Sequence, residues 1–135
     1  MAKFAATDYS VSVAGTDLST SLTSVELNLE ADDRDTTTFG NGGYRTRVGG
    51  LKQGSVRLNF YQDYAASSVE ATLYPLLGTI ATVVLKPTSG SVSSTNPSYT
   101  VTCLVTQVQP ISAAVGDVAV QQVSWVTSGS VVKTV

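Results

Sequence analysis

The sequence predicts a mainly β fold: an antiparallel β-sandwich or half-barrel with one short flanking α-helix and a long loop between the second and third strands. Three features of its 135 residues support this prediction. Much of the chain alternates apolar and polar side chains as half-buried strands do, only one segment has helical spacing, and no repeat or linker divides it. Residues 1–135 are therefore expected to form one domain, burying about two thirds of their extended surface.

The first three predicted strands lie in the N-terminal half. Residues 9–14, 24–30 and 56–61 each alternate with a period of two. In the second run, Val25, Leu27 and Leu29 alternate with serine, glutamate and asparagine, which gives one face to the core and the other to water. The third run has the same pattern, so the two are expected to pair antiparallel.

Four further strands are predicted in the C-terminal half, at residues 80–86, 99–108, 118–127 and 131–135. Between the first two, the Ser- and Pro-rich residues 87–97 predict an exposed, flexible loop. The run 99–108 has apolar groups on both faces, so it is either sandwiched within the domain or covered by a neighbouring copy. Few lysines or prolines protect these strands, and such edges aggregate unless something pairs with them.

One helix is predicted, at residues 67–77. Ser67 and Glu70 have the spacing of a capping box, and the apolar residues that follow recur at helical intervals. Pro75 and Gly78 are expected to end the helix. We interpret it as a cover for one end or face of the sheet.

The long loop, residues 31–50, contains five glycines, three aspartates and three arginines. Loops of this length are uncommon in compact domains and are usually functional or disordered. We interpret it as functional and not as a floppy insertion, because Phe39 and Tyr44 offer anchors for a partner surface. On that interpretation the loop becomes ordered when the partner binds.

Charge and cysteine content exclude several classes of protein. Charged residues make up 13% of the chain, about half the usual share, which favours a surface covered by other copies. A net charge of −2 without a basic run disfavours nucleic-acid binding. The lone Cys103 fits a reducing compartment, and the sequence predicts neither a signal peptide nor a membrane span.

No catalytic or metal site is predicted. The chain has no histidine, and Asp32, Asp33 and Asp35 lack the spacing of a calcium-binding hand, so their expected partners are nearby arginines. Asp63 is explained as a turn residue and Glu70 as a capping residue. We therefore predict a protein that is not an enzyme and needs no cofactor.

Two stretches resemble a known family. Residues 33–52 read Asp-Arg-Asp-Thr-Thr-Thr-Phe-Gly-Asn-Gly-Gly-Tyr-Arg-Thr-Arg-Val-Gly-Gly-Leu-Lys, and residues 73–78 read Leu-Tyr-Pro-Leu-Leu-Gly. With the order of strands, loop and helix, they resemble the major tail (tail tube) proteins of long-tailed, siphovirus-type bacteriophages. The resemblance implies a virion protein, assembled in the host cytoplasm, whose six-membered rings share a continuous inner β-barrel and stack into a hollow tube for DNA.

The resemblance also implies roles for particular residues and partners. The long loop would contact a neighbouring subunit or ring through Asp33, Arg34, Asp35, Phe39, Tyr44, Arg45 and Arg47. Neutral or acidic groups would line the lumen so that DNA slides without binding, and the candidates are Glu26, Glu30, and Gln121 or Gln122. Besides other copies of the chain, the implied partners are tape-measure and tail terminator or tip proteins, with no membrane partner.

Two other functions remain open from the sequence. A capsid decoration or head-to-tail joining protein would share the low charge and the β pattern without forming long polymers. A ligand- or carbohydrate-binding β-sandwich would need exposed aromatic side chains on one flat face, and the spacing of the aromatic residues argues against it.

Overall fold

The computed structural model describes residues 3–135. The elements in these residues are, in chain order, β1 (Ser10–Val13), β2 (Thr16–Asp17), β3 (Leu22–Asp35), β4 (Arg47–Tyr61), α1 (Val69–Leu73), β5 (Ile80–Lys86), β6 (Ser98–Leu104) and β7 (Val120–Thr134). Single turns of 3-10 helix lie at Ser19–Ser21, Phe39–Asn41 and Tyr74–Leu76.

The seven strands form one antiparallel sheet in the order β2-β1-β5-β6-β7-β4-β3. The sheet is curled, because one cavity is bounded both by Tyr9, next to β1, and by Val25, on β3. Its two ends thus approach each other, although β2 and β3 do not pair within residues 3–135. This is the single-domain half-barrel with a flanking helix that the sequence predicts.

The core lies on the inner side of the curl. Val56, Leu58 and Phe60 of β4 are completely buried, as strand alternation predicts. Inward-facing residues of β1, β5, β6 and β7 join the same cluster, and Val69 and Leu73 of α1 cover it. Burying such a side chain contributes about 1.5–3 kcal/mol, so this cluster is the main stabilising element of the fold.

The two last predicted strands are in fact one. β7 continues from Val120 to Thr134, and its pairing with β6 jumps from Thr127 opposite Cys103 to Val131 opposite Val101. The extra residues form a bulge, in which Gly129 has a φ of 121°. A serine-glycine-serine sequence is typical of a turn, but here it bends a continuous strand.

The predicted loop 31–50 is shorter than expected. β3 continues to Asp35 and β4 begins at Arg47, directly opposite, so only residues 36–46 connect the strands. Gly50 lies within β4, where a Cβ atom would approach the Cβ of Asp32 to 3.0 Å. The glycine there permits close approach of the two strands and does not mark a loop.

The helix begins later than predicted. Its N-cap is Ser68, whose side chain makes no capping hydrogen bond, whereas Ser67 precedes the helix with a φ of 59°. The predicted capping box is therefore wrong, and the amide of Glu70 instead donates to the carbonyl of Asp63 at 3.1 Å. The turn role of Asp63 is confirmed, since its Oδ1 accepts from the amide of Ala65 at 2.9 Å.

Residues 87–97 are held by one buried side chain. Asn96 accepts a hydrogen bond from the amide of Thr88 at 3.1 Å and donates to the carbonyls of Gly90 and Ser91 at 3.1 and 3.0 Å. It is 8% exposed. The segment that composition identifies as a flexible loop thus has a path fixed by side-chain to backbone bonds.

Replacing Asn96 with alanine should lower the free energy of unfolding by about 1–3 kcal/mol, because three part-buried hydrogen bonds between its side chain and the backbone are lost. Urea denaturation monitored by Trp125 fluorescence measures the change. Thr95→Ala is the control, because its exposed hydroxyl contacts only that of Ser93, at 3.3 Å. A variant Asn96→Ala as stable as the wild type would contradict this role.

Candidate assembly site

The β3–β4 hairpin extends beyond the core as a projection that we call the arm, residues 31–52. β4 pairs with β7 only as far as Ser55 opposite Val126, so the rest of the hairpin has no third strand beside it. No residue of the arm is buried. Because a two-stranded ribbon in water has no core of its own, local contacts must hold the arm together.

Ion pairs lie along the arm. Arg45 contacts Asp35 at 2.8 Å, Arg34 contacts Asp32 at 3.2 Å, and Arg47 contacts Asp33. These are the aspartate–arginine partners that the sequence predicts. All are more than a third exposed, and exposed pairs contribute about 0–1 kcal/mol each.

The connection at residues 36–46 is also internally bonded. The amide of Thr36 donates to the carbonyl of Thr46 at 2.9 Å, and Asn41 Nδ2 donates to Thr46 Oγ1 at 2.9 Å. Hydrogen bonds from the hydroxyl and the amide of Thr37, with a smaller contribution from Arg45, hold the pKa of Asp35 below its usual value. We expected this segment to become ordered on binding, but it is already folded in the single chain.

Large apolar side chains on the arm have no cover. Phe39 is 108% exposed and Tyr44 80%. Leu51 and Val48 are also exposed, and sequence analysis did not select them because the glycines beside them indicated a loop. Isolated exposed apolar residues are normal, whereas four on one projection form an apolar surface of the kind that contacts between proteins use.

All seven residues predicted for assembly lie on the arm. Three belong to its strands (Asp33, Arg34, Asp35), three to the connection (Phe39, Tyr44, Arg45), and Arg47 begins β4. The structure therefore brings them together on one projection, where charged groups are paired and aromatic groups are exposed.

A second surface is the outer face of the sheet, opposite the core. Glu26, Arg57 and Ser124 form one row across β3, β4 and β7. Glu26 and Arg57 approach to 3.4 Å, and Arg57 is a member of this face that sequence analysis did not select. Glu30, further along, accepts a hydrogen bond from Gln53 Nε2 at 2.7 Å. Glu26 is therefore paired with a cation, whereas the carboxylate of Glu30 is bonded to a neutral amide.

Of the two glutamines on β7, only Gln122 is on the polar face. It lies opposite Asn59 and is exposed. Gln121 was wrong as a lumen candidate, because it is 1% exposed and shares the buried face of Trp125. Its carboxamide oxygen accepts the amide of Gln109, so it holds the segment after β6 against the core.

Other chemistry has little support. Among residues 3–135, no three histidine, cysteine, aspartate or glutamate side chains are grouped to hold a metal ion. Cys103 is buried, and burial raises the pKa of its thiol to about 11, so the thiol stays protonated at neutral pH. In the same part of the chain, no helix has the length and hydropathy needed to cross a bilayer.

Three solved structures share this fold. A chain of the virion of a native gene transfer agent particle has a TM-score of 0.74 at 13% identity, covering 95% of this chain and 96% of that one. A chain from the tail of an empty gene transfer agent particle, refined with C6 symmetry, has a TM-score of 0.67 at 13% identity, covering 85% and 83%.

A chain in the six-fold symmetrised baseplate of the anti-feeding prophage has a TM-score of 0.54 at 12% identity, covering 98% and 97%. No protein-family model matches the sequence, and no curated protein matches it. At these identities the similarity defines the fold, and that fold occurs in subunits of phage-like particles.

Proposed function

We propose that this chain is a structural virion protein that assembles into stacked, hexameric rings and forms the hollow tail tube through which a long-tailed phage delivers DNA. The observation that carries the proposal is the arm, which leaves the core with its charges paired and its aromatic side chains exposed. The fold supports it, because a similar chain comes from a tail with C6 symmetry.

The arm supplies the contact between copies. Phe39 and Tyr44 are fully or largely exposed, so they gain little from the fold of one chain. Burying an aromatic side chain against another subunit contributes about 1.5–3 kcal/mol, repeated at every subunit. Because the connection is already folded, less conformational entropy is lost when it docks.

Sheet edges supply the lateral contact. Within the described residues, the 14-residue β3 pairs only with β4, and no strand pairs with its other side. It contains neither lysine nor proline, the residues that often protect an edge. Ring closure pairs such edges between copies, and it turns a tendency to aggregate into a defined assembly.

The polar outer face is the lumen surface in this proposal. Its exposed candidates are Glu26, Glu30 and Gln122, and its arginine, Arg57, is paired with Glu26. A surface without unpaired cations offers DNA phosphates no binding contact, so the genome slides through. The remaining partners follow from the resemblance to tail tube proteins: a tape-measure protein within the tube and terminator or tip proteins at its ends.

Negative-stain electron microscopy of the purified protein across a concentration series tests the proposal. Six-membered rings and hollow filaments are expected at high concentration, because each contact is weak and is repeated along the tube. Rings that never stack would favour a joining or decoration protein. A uniform monomer at every concentration would overturn the assembly function.

The double variant Phe39→Ala, Tyr44→Ala should keep the unfolding free energy of the wild type and lose filament elongation. Both side chains are exposed in the single chain, so their removal affects only contacts between copies. Sedimentation and microscopy measure assembly, and urea denaturation measures stability. Ile111→Ala, which removes an 80% exposed side chain outside the arm, is the matched control. Normal filaments from the double variant would refute the role of the arm tip.

Replacing residues 36–46 with Asn-Gly should give a folded domain that cannot elongate. Asp35 and Arg47 face each other across the hairpin, which is the separation that a two-residue turn closes. Circular dichroism checks the fold, and microscopy checks elongation. A variant that elongates normally would show that the connection is dispensable.

A further inference from the structure

The sheet divides into a fork between β4 and β7. The two strands pair from Tyr61 opposite Val120 to Ser55 opposite Val126, and beyond that point β4 follows β3 into the arm. β7 instead continues beside β6 to Thr134. In the described chain, residues 127–134 therefore have a strand on one side only.

Two local features open the fork. At its vertex, the amide of Gly54 donates to Thr127 Oγ1 at 3.0 Å, so a side chain takes the place of the next ladder bond. The bulge around Gly129 then bends β7 immediately beyond the vertex. Bulges increase the local twist of a strand and end its pairing with a neighbour.

The fork contains a cleft of about 470 Å³. Leu29 and Ala31 of β3 line one side, and Gly129 and Val131 of β7 line the other. Leu29 is 56% exposed, although its face of β3 is the one that meets the core further along. The space beside the bare edge is therefore open, and its walls combine these apolar groups with polar side chains such as Lys52 and Gln53 of β4.

We infer that the bare edge of β7, residues 127–134, accepts the outer edge of β3 from a second copy of this chain. The inference rests on the ring assembly proposed above and names the seam between adjacent subunits. The backbone groups of both edges would then bond to each other in place of water.

Length and charge favour this pairing. Eight residues of β7 span about 26 Å, and the 14 residues of β3 span about 46 Å, so β3 covers the whole free edge. β3 carries five acidic residues and one arginine, whereas β7 carries only Lys133. β7 thus places no carboxylate opposite the acidic strand.

The other possible edges fit less well. Pairing β3 with β3 of a second copy would bring together two strands that each carry five acidic residues and one arginine, and their like charges repel. At the other end of the sheet, β2 has two residues, and beyond it Ser19 occupies the edge of β1. The amide of Val11 donates to Ser19 Oγ at 3.0 Å, and its carbonyl accepts the amide of Leu18 at 3.1 Å.

The choice of edges also decides the kind of assembly. A β3–β3 contact would use the same surface twice, so it would stop at a dimer. A β3–β7 contact uses two different surfaces, which leaves one of each free on every dimer. Addition then continues until a ring closes, as the proposed tube requires.

Disulfide cross-linking tests the seam. One set of variants has a cysteine on β3, Ser24→Cys or Asn28→Cys, and the other on β7, Ser130→Cys or Val132→Cys. Paired residues on adjacent strands lie within the Cα separation that a disulfide spans. The wild type is the control, and its buried Cys103 should give no dimer on oxidation.

Covalent dimers are expected when a β3 variant is mixed with a β7 variant, and not when either is oxidised alone. A chain with both cysteines should give a ladder of multimers. Dimers from a β3 variant alone, or no dimer from any mixture, would overturn the seam.

Microscopy of the same samples distinguishes a failure of the β3–β7 contact from a failure of the proposed tube. Rings without mixed dimers would be consistent with the proposed tube and would refute the β3–β7 contact. Mixed dimers without rings would support the contact and refute the tube.

Discussion

Backbone pairing between β3 and β4 is the interaction on which the other features of this chain depend. The two strands stay paired from the core, where Leu58 is opposite Val25, to the last pair, Asp35 opposite Arg47, with one shift of register between Ala31 and Asp33. Because the ladder continues after β7 has separated, the hairpin projects as an arm and leaves an open fork behind it. The exposed aromatic groups, the bare edge of β3 and the bare edge of β7 all follow from that one pairing.

The position of the fork depends on residues with small or short side chains. A Cβ atom on Gly54 would lie 2.5 Å from the carbonyl oxygen of Asn28, so only glycine lets the strands remain together at the root of the arm. Next to it, Thr127 supplies the last bond from β7. The sequence thus specifies where the third strand leaves as clearly as it specifies the core.

Much of the fold could be predicted, because the alternation of apolar and polar residues along a strand reflects the burial of one of its faces. Val56, Leu58 and Phe60 alternate in the sequence and are completely buried in the structure. The strands of the arm were harder to predict, because Gly50 was interpreted as a loop residue, whereas it allows β3 and β4 to approach each other closely. Nothing local distinguishes a glycine that bends a chain from one that lets another strand approach.

The residues of the candidate assembly site were predicted less completely, because here too the local sequence does not decide between two alternatives. Gln121 and Gln122 are identical residues, and only the register of β7 decides that one faces Trp125 and the other faces solvent. Within the predicted strand 118–127 both faces carry apolar residues, Val123 and Trp125 on the face of Gln121 and Val118 and Val120 on the other, so the pattern alone did not decide which face is buried. The ion pairs of the arm could be predicted, since aspartates and arginines were the only charged residues in the predicted loop 31–50.

A folded arm changes how assembly is controlled. If residues 36–46 were disordered, ordering them would oppose each contact and keep free subunits apart. Here hydrogen bonds of Thr36, Asn41 and Thr46 already hold the connection, so that cost is smaller. What still opposes assembly in the proposed tube is the weakness of each separate contact, because each neighbour contributes only one arm and one strand edge. In the proposed tube, closure of a ring would make several such contacts at once, so assembly would depend steeply on concentration and would be favoured by any surface that gathers the first copies.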